Sequence, residues 1–313
     1  MEVIWDINKR PESRETVLTL GTFDGVHLGH QEIIKEVKRR TAEIGGISTL
    51  ITFEPHPQLV VQKADRPQVK ILTSIEEKID ILADMKLDRV IIIPFDHNFA
   101  AIEPEQFVKE TLVATLNMKW IIIGHDHAFG KNRKGNYELL KRLSTEFHFG
   151  VDVVQPVMVE NKIISSTQIR KLLLQGRVEL AAKMLGRPYS IRGKVVQGHG
   201  RGKAIGFPTA NLKPISPNKL IPKIGIYATR IKVDDEAYNS VTYIGERPTF
   251  NLSEKVIEVH IADFSDELYG REVELALLHF IRDDAKFSST EELILQIEED
   301  KIKSLELLNK NSD

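Results

Sequence analysis

The feature that most constrains this chain is a regular alternation, in its first half, of short apolar runs with longer amphipathic stretches. The apolar runs are rich in β-branched residues and nearly continuous, which is typical of strands buried on both faces of a sheet. They lie at residues 16–20, 47–53, 89–95, 119–123 and 151–154. Helical periodicity marks the stretches at 31–44, 74–86, 104–116 and 137–147. This alternation predicts an α/β domain with a parallel sheet, which binds ligands at the carboxyl ends of its strands.

The second half of the chain has a different pattern of residues. Two more helical patterns occupy residues 167–175 and 178–185, and from Gly186 onward glycine and proline become frequent. Strand-like runs then follow one another without helices, at 189–197, 226–233, 238–244, 256–264 and 273–281. They predict a small antiparallel β-barrel, followed by a carboxyl-terminal helix that Ser289 and Glu292 open at capping-box spacing. The 313 residues are therefore expected to form two domains, 1–184 and 185–313.

Composition excludes several classes of site and partner. There are 43 Lys and Arg residues against 45 Asp and Glu, a net charge of −2, which provides no electrostatic footprint for nucleic acid. The absence of cysteine excludes disulfides, thiolate zinc sites and cysteine nucleophiles. The first residues contain no secretory-type apolar segment, and no apolar run approaches the ~20 residues of a membrane span. We therefore expect a cytoplasmic protein that binds neither nucleic acid nor membrane; weak self-association is left open.

The densest motif, LGTFDGVHLGHQ, follows the first predicted strand. Gly21 and Gly25 allow close backbone approach, and a helix that starts near Leu28 offers unpaired N–H groups to a phosphate. His27 and His30, three residues apart, are expected on one side of this helix start. There two imidazoles can donate hydrogen bonds to phosphate oxygens as charge builds in a transition state. This arrangement resembles that of the HxGH nucleotidyltransferases, which have a Rossmann-like fold.

Further motifs narrow the resemblance. FEPHP at 53–57, PFDHNFA at 94–100 and GHDHAFGKNRKG at 124–135 follow in order, and ISSTQIR at 164–170 opens a later helix whose hydroxyls and arginine can hold phosphates. Together they look like the flavin adenylyltransferase domain of the bacterial bifunctional riboflavin kinase/FAD synthetases. The resemblance implies that residues 1–184 transfer AMP from ATP to FMN and release pyrophosphate. It implies catalytic roles for His27, His30 and Arg170. The implied nucleotide contacts are Gly21, Thr22, Phe23, Asp24, Gly25, Asp126, Ser165, Ser166 and Thr167, and the implied flavin contacts are Phe53, Pro55, His56 and Phe129.

A second dense motif, VVQGHGRGKAIGFPTAN at 195–211, lies in the predicted barrel. Its glycine spacing fits neither a Walker A loop nor a G-x-G-x-x-G fingerprint. Successive N–H groups in such a loop can still curve around a phosphate with basic side chains nearby. The residues expected there are Gly198, Gly200, Arg201, Gly202 and Lys203. Thr209 and Asn211 are two apart, so on a strand they face the same side, and their oxygens suit Mg²⁺.

This segment, together with YIGERPTF at 243–250 and IEVHIADF at 257–264, is similar to the riboflavin kinase domain of the same bifunctional family. The resemblance implies phosphoryl transfer from ATP to riboflavin. It assigns Glu258 as the base near the ribityl hydroxyl, a role in which a carboxylate need only orient the hydroxyl and accept its proton late. Tyr243 and Arg271 are the implied flavin contacts of this domain.

The leading hypothesis is thus an enzyme that makes FMN and then FAD, with ATP as co-substrate and Mg²⁺ as cofactor. An alternative keeps only adenylyl transfer and treats the barrel as a flavin-binding module, because Tyr243 stands where relatives carry a small or amide residue. His127 and Ala128 likewise stand where many relatives carry an aromatic residue and an arginine. A flavin-responsive nucleic-acid-binding regulator is a third hypothesis, which the net charge does not favour. Class I aminoacyl-tRNA synthetases also open a helix with HxGH, but the sequence has no KMSKS-like partner motif.

Overall fold

A computed structural model describes residues 1–5, 7, 13–61, 67–198, 206–248, 253–264 and 266–309. The contacts between residues divide the chain into two compact units, Met1–Ser166 and Thr167–Asp313. The helical region that leads up to residue 185 therefore groups with the second unit. The functional boundary at 184/185 stays a prediction.

The first unit is built on a six-stranded sheet in which every pair of neighbours is parallel. Its strands are β1 (Glu2–Ile4), β2 (Thr16–Leu20), β3 (Ile47–Glu54), β4 (Arg89–Pro94), β5 (Met118–Gly124) and β6 (Gly150–Val154). The order across the sheet is β1-β4-β3-β2-β5-β6. The predicted parallel sheet is confirmed, and only the three-residue edge strand β1 is too short for an apolar pattern to indicate it. The chain passes from β2 to β3 in one direction and later places β5 on the other side of β2, so the topological switch point lies between β2 and β5.

Helices cover both faces of this sheet. They are α1 (Leu28–Ile44), α2 (Pro57–Val60), α3 (Ile75–Asp84), α4 (His97–Ala100), α5 (Pro104–Gln106) and α6 (Tyr137–Phe147). The predicted capping box of α3 is present, with Glu77 N donating to Ser74 Oγ at 3.2 Å and Ser74 N donating to Glu77 Oε2 at 2.8 Å. The helix predicted over 104–116 changes character after its first turn and continues as a π-helix, Phe107–Thr115. Leu116 N accordingly donates to the carbonyl of Thr111, five residues back, at 3.0 Å. A short hairpin of β7 (Met158–Val159) and β8 (Lys162–Ile163) follows the sheet.

Alternate residues of the central strands are buried on opposite faces of the sheet. One face packs against the π-helix and α6, the other against α1 and α3. The strand residues of the first face include Leu18, Ile51, Ile91 and Ile121, and those of the second include Val17, Leu50, Val90 and Ile122. Because both faces are covered, the strands read as continuous apolar runs and not as alternating ones.

The second unit is a closed barrel preceded by two helices and followed by one. Its elements are α7 (Ser166–Leu174), α8 (Val178–Leu185), β9 (Tyr189–Val196), β10 (Ala210–Pro214), β11 (Gly225–Val233), β12 (Glu236–Pro248), β13 (Ser253–Ile261), β14 (Glu272–Arg282) and α9 (Thr290–Asn309). The barrel order is β10-β13-β12-β11-β14-β9, with antiparallel pairing throughout. The predicted antiparallel barrel and terminal helix are confirmed, and Glu292 N donates to Ser289 Oγ at 3.2 Å as the capping pattern indicates. No helix in the described part of the chain combines the length and the apolarity that a membrane crossing requires.

Candidate active sites

Several predicted residues of the first site lie at the carboxyl edge of the parallel sheet. The loop 21–27 follows β2, and the segment that contains Asp126 follows β5, so the two flank the switch point. The FEPHP motif follows β3, the next strand on the other side of β2. In sheets of this kind the crevice at the switch point is where ligands bind.

The two histidines form one compact unit at the start of α1. His27 is the N-cap, and its Nδ1 accepts a hydrogen bond from His30 N at 3.3 Å. The two rings stack with centroids 3.6 Å apart and planes 15° from parallel. Gly29 lies beside this pair, and a Cβ there would come within 3.3 Å of the His27 ring, so glycine leaves room for the stack. The expectation that both rings share one side of the helix start is met by this geometry.

His30 is held in its neutral form. Its Nδ1 is inaccessible to solvent and has no hydrogen-bond partner among the described residues. Burial, together with the neighbouring His27 and Lys78, holds the pKa of His30 well below its usual value. A neutral imidazole has one N–H donor, and the Nδ1 and Nε2 atoms share the donor and acceptor roles according to tautomer. The ring is therefore available to hydrogen-bond a ligand without carrying a resident positive charge.

The loop 21–27 has an unusual backbone. Phe23, Gly25 and Val26 have φ values of 46°, 85° and 39°. Positive φ is easy for glycine but rare for a β-branched residue such as Val26, so the surrounding contacts must impose it. Gly25 N donates to the buried Thr73 Oγ1 at 3.0 Å, which is one such contact.

Asp24 provides a second contact that holds the backbone of the loop 21–27. Its carboxylate is 1% exposed and accepts hydrogen bonds from Leu72 N at 2.9 Å and Thr73 N at 3.0 Å. Its side chain thus ties the loop to the segment before α3, and direct contact between this carboxylate and ATP stays a prediction. The Asp24 carbonyl accepts a hydrogen bond from Ser166 Oγ at 2.9 Å. That bond brings one hydroxyl of the ISSTQIR motif against the loop, while Thr167 and Arg170 lie on the first turns of α7 in the second unit.

An aromatic cluster, Phe53, Phe95, Phe99, Phe107 and Phe129, lies on the β3, β4 and β5 side of the same edge. Ring centroids are 5.7 Å apart for Phe53 and Phe99, 5.5 Å for Phe99 and Phe107, and 6.5 Å for Phe107 and Phe129. The structure therefore joins the predicted flavin contacts Phe53 and Phe129, which are far apart in sequence. Such a cluster offers flat apolar surfaces against which a large ring system can stack.

The remaining flavin-side predictions differ in their surroundings. His56 is buried and caps α2, its Nδ1 accepting from Gln58 N at 3.2 Å, whereas Pro55 is exposed. Asp126 is 82% exposed at its side chain. His127 is partly buried. Its ring stacks on Phe129 with centroids 5.6 Å apart, and its Nε2 is buried and has no hydrogen-bond partner in the described part of the chain. Burial lowers the pKa of His127 to about 4, so this ring is neutral at pH 7.

The second site is a row of side chains on the barrel. Asn211 on β10 is paired with Glu258 on β13, and Glu258 is paired in turn with Tyr243 on β12. The residues on either side of Glu258, Ile257 and Val259, are 2% and 1% exposed and fill the barrel. Glu258 itself lies on the opposite, half-buried face of the strand. Register partners in antiparallel strands have neighbouring side chains. The row thus brings together a predicted metal ligand, the predicted base and a predicted flavin contact.

The surroundings of this row are consistent with a cation bound by oxygen. A hydroxyl, an amide and a carboxylate are the hard donors that Mg²⁺ prefers. A Cβ at Gly198 would overlap the Asn211 amide, so only glycine allows the chain to pass this close to it. His260, two residues from Glu258, holds the segment before Thr209 because its Nδ1 lies 2.9 Å from the Pro208 carbonyl. Gly200, Arg201, Gly202 and Lys203 lie outside the described residues.

Arg271 stands at the edge of the barrel site. Its side chain is 49% exposed, and Nη1 lies 3.2 Å from Asp234 Oδ2. Its carbonyl accepts a hydrogen bond from Val195 N at 2.9 Å, on the strand that pairs with β10. The backbone of Arg271 is therefore near the glycine-rich motif, and a contact of its side chain with flavin stays a prediction.

Sequence reasoning missed several residues that shape these sites. The buried Lys78 donates a hydrogen bond to the Thr22 carbonyl at 2.8 Å, and His260 holds the residues before β10. Phe107 links Phe53 and Phe129 through the aromatic cluster. The capping box locates Lys78 on the first turn of a helix, but nothing local indicates that this turn lies beneath the loop 21–27.

Two family models match the chain, one for each unit. The model described as FAD synthetase matches residues 9–168, and the model described as riboflavin kinase matches residues 185–308. The first of these covers more than half of the chain.

Similar proteins match over nearly their whole length. A bifunctional riboflavin kinase/FMN adenylyltransferase of Listeria monocytogenes is 38% identical over 296 residues, 94% of this chain and 91% of that protein. Proteins with the same name from Bacillus subtilis and Escherichia coli are 36% and 34% identical, and each comparison covers 93% of this chain and 92% of the relative. A solved structure from Streptococcus pneumoniae, described as a macrolide-efflux protein, is 30% identical with a TM-score of 0.87 and covers 96% of this chain and 97% of that one.

Proposed function

This chain belongs to the bifunctional riboflavin kinase/FMN adenylyltransferase family, and we propose that its two sites carry out successive steps of flavin nucleotide synthesis as follows. In the barrel, riboflavin and ATP yield FMN and ADP. At the parallel sheet, FMN and ATP yield FAD and pyrophosphate. Residues 1–184 form the adenylyltransferase domain and residues 185–313 the kinase domain in this assignment, which the matched ranges 9–168 and 185–308 support.

In the adenylyltransferase site, the oxygen of the FMN phosphate attacks the α-phosphorus of ATP and pyrophosphate leaves. His27 and His30 hydrogen-bond the phosphate oxygens on which charge builds, from one stacked pair at a helix N-terminus. Glycines and backbone N–H groups of the loop 21–27 receive the triphosphate, and Ser165, Ser166, Thr167 and Arg170 add donors. The aromatic cluster, with Pro55 and His56, receives the isoalloxazine ring.

In the kinase site, Glu258 orients the ribityl hydroxyl and accepts its proton while the γ-phosphoryl group of ATP is transferred. Thr209 and Asn211 are the residues that would hold Mg²⁺, which when bound neutralises polyphosphate charge. Gly198 and the neighbouring glycine-rich segment receive the phosphates. Tyr243, paired in register with Glu258, is the proposed flavin contact of this site.

The observation that carries this function is that each unit contains its own cluster of candidate reacting groups. The stacked histidine pair belongs to the first unit, and the Asn211–Glu258–Tyr243 row belongs to the second. A barrel that only bound flavin would not need a carboxylate directly beside a metal-binding amide. The alternative of a flavin-binding module is therefore not supported, and the relatives are named for both activities.

The experiment that tests this function is chromatography of the products formed from riboflavin, ATP and Mg²⁺. We expect FMN and ADP to appear first, and FAD and pyrophosphate to follow as FMN accumulates. The matched reaction starts from FMN, and it should yield FAD and pyrophosphate without ADP. Formation of FAD from FMN without consumption of riboflavin would instead identify the barrel as a binding module.

A further inference from the structure

Lys78 is a buried lysine beneath the loop 21–27. It lies on the first turn of α3 and is 4% exposed. Its Nζ donates hydrogen bonds to the Thr22 carbonyl at 2.8 Å and to Thr52 Oγ1 at 3.1 Å. Thr52 Oγ1 in turn donates to the same Thr22 carbonyl at 3.1 Å. Two donors thus converge on one carbonyl at the point where the loop begins.

This lysine has no ion-pair partner within the described ranges, although its charge is out of contact with water. Burial lowers the pKa of Lys78, while the more distant carboxylates of Asp24 and Glu54 favour its charged form. An unpaired buried charge is costly, and a neutral donor could make the same two hydrogen bonds. The buried ammonium of Lys78 would therefore be stabilised when an anion binds near it.

The loop above Lys78 is the segment that receives polyphosphate in the proposed function. After Thr22 the backbone passes through the positive φ values of Phe23, Gly25 and Val26 before it reaches the histidine pair. These conformations persist only if contacts at both ends of the loop hold them. Asp24 and Thr73 hold the middle of the loop, and Lys78 holds its start.

We propose that Lys78 is a positioning residue for adenylyl transfer. It holds the Thr22 carbonyl, so that the loop keeps the shape that receives the triphosphate. Its positive charge, which has no ion-pair partner in the described ranges, also attracts the triphosphate anion. The inference rests on the proposed function of the first site. It adds a residue that acts through the loop and without touching the reacting atoms.

The charge of Lys78 also acts on the histidine pair. The groups that face His30 are Phe23 from the loop, with ring centroids 4.8 Å apart, His27 from the same helix, and Lys78 from α3. Lys78 contributes to the lowered pKa of His30. Removal of the charge should therefore raise that pKa, an effect that a purely structural side chain would not have.

The test compares Lys78→Met, which removes the charge, with Lys78→Arg, which keeps it. Lys35→Met on α1 is the matched control, because its side chain is 67% exposed. Each variant is assayed as the full chain for FAD formation from supplied FMN, thermal unfolding of the same sample reports on folding, and riboflavin phosphorylation reports on the other site. We expect Lys78→Met to lower kcat/KM for ATP in FAD formation by about 10- to 100-fold, less than the roughly 100- to 1,000-fold loss that follows removal of a donor in direct contact with the developing charge. Riboflavin phosphorylation should be unchanged, and Lys78→Arg should keep more FAD formation than Lys78→Met.

The second measurement is the titration of His30 by NMR, assigned with a His30→Ala sample. Lys78→Met should raise the pKa of His30, and Lys35→Met should leave it unchanged. A Lys78→Met protein with kcat/KM within about twofold of wild type, or with an unshifted His30 titration, would overturn the proposal. Equal losses in Lys78→Met and Lys78→Arg would also overturn it.

A measurement on the wild-type chain decides the matter if Lys78→Met does not fold. The Lys78 ammonium resonance, assigned from its absence in Lys78→Arg, should shift when a nonhydrolysable ATP analogue binds. An analogue that perturbs His30 but leaves this resonance in place would contradict the role of Lys78. Failure of the wild-type protein to convert FMN to FAD would refute the proposed function itself, a result distinct from all of these.

Discussion

At the scale of single residues, the first site depends on titratable groups that burial keeps neutral. His30 and His127 both have buried ring nitrogens with no partner in the described part of the chain. Burial lowers the pKa of each, that of His127 to about 4. A neutral imidazole can donate a hydrogen bond to a polyanion through its N–H and accept one from a flavin N–H or O–H through its other nitrogen. In the proposed site these histidines would therefore act through directed hydrogen bonds more than through charge.

The lowered pKa of His127 predicts how stability depends on pH. The unfolded chain binds a proton at this histidine near pH 6.5, whereas the folded chain binds it at about pH 4. Between these values the unfolded state holds more protons, so the free energy of unfolding falls as the pH is lowered from about 6.5 to about 4. His30 contributes in the same direction. His127→Phe should flatten this dependence while it keeps a ring against Phe129, as measured by thermal unfolding between pH 7.5 and 4.5.

The control for this prediction is His148→Asn. His148 is exposed and has a φ of 55°, a conformation that asparagine tolerates. This variant measures how the loss of an exposed histidine alone changes the dependence of Tm on pH, and His127→Phe should flatten the dependence beyond that. If His127→Phe flattened it no further than His148→Asn, His127 would titrate in the folded chain as it does in the unfolded one, and our account of its burial would be wrong.

At the scale of elements, strand register and helix docking decide how the barrel site is held. The pairing of β10, β13 and β12 aligns Asn211, Glu258 and Tyr243, and a shift by one residue would send Glu258 to the barrel interior. Helix α9 packs outside the barrel and is joined to it by polar contacts. Arg282 on β14 donates to Asp300 Oδ2 at 2.6 Å, and Ser304 Oγ donates to the Ser240 carbonyl at 3.2 Å. The same elements therefore set both the shape of the site and the stability of its scaffold.

The Arg282–Asp300 pair predicts the local stability of α9. Asp300 is 4% exposed and the Arg282 side chain 23% exposed, so Asp300→Asn removes the charge of the buried member and leaves the arginine with a weakened partner. Loss of one member of a buried ion pair costs about 3 kcal/mol, which corresponds to roughly a hundredfold faster exchange of α9 amides by local opening. Hydrogen–deuterium exchange of the full chain, read by peptide, measures this effect.

Two controls separate the ion pair from general destabilisation. Asp235→Asn breaks the exposed pair with Lys232 and should leave exchange within error of wild type. The double variant Arg282→Met, Asp300→Leu should recover much of the protection, since apolar replacement of a buried pair is often neutral. Equal exchange in Asp300→Asn and wild type would show that α9 is held by its apolar contacts alone.

At the scale of the whole molecule, the two chemistries are assigned to separate units. The histidine pair proposed for adenylyl transfer lies in Met1–Ser166, and the Asn211–Glu258 pair proposed for phosphoryl transfer lies on the barrel. Both reactions use ATP, but one is directed at the α-phosphorus and the other at the γ-phosphorus. Each site therefore needs its own cradle for the nucleotide, and each can be inactivated without loss of the other.

This separation predicts a double dissociation. Glu258→Gln should lower FMN formation from riboflavin by at least about a hundredfold, because it removes the proton acceptor, and should spare FAD formation from supplied FMN. His30→Ala should do the reverse. Chromatography of products from riboflavin and, separately, from FMN measures both activities in each variant. A folded variant that lost both activities would contradict the assignment of two independent sites.

The sequence by itself determined most of the element types, the two-domain plan and the main candidate motifs, but not the edge strand β1 or the π-helix Phe107–Thr115. The features that it determined depend on short-range patterns: the period of apolar residues, the capping pairs Ser74/Glu77 and Ser289/Glu292, and the spacing of His27 and His30. Tertiary structure alone decided what lies beside each motif, such as Lys78 beneath the loop 21–27, Phe107 against Phe99 and Phe129, and Glu258 between Asn211 and Tyr243. The physical reason is that strand register, parallel crossovers and barrel closure bring together residues separated by tens of positions. Local propensity contains no information about those long-range pairings, because burial and hydrogen bonding across the folded chain select them.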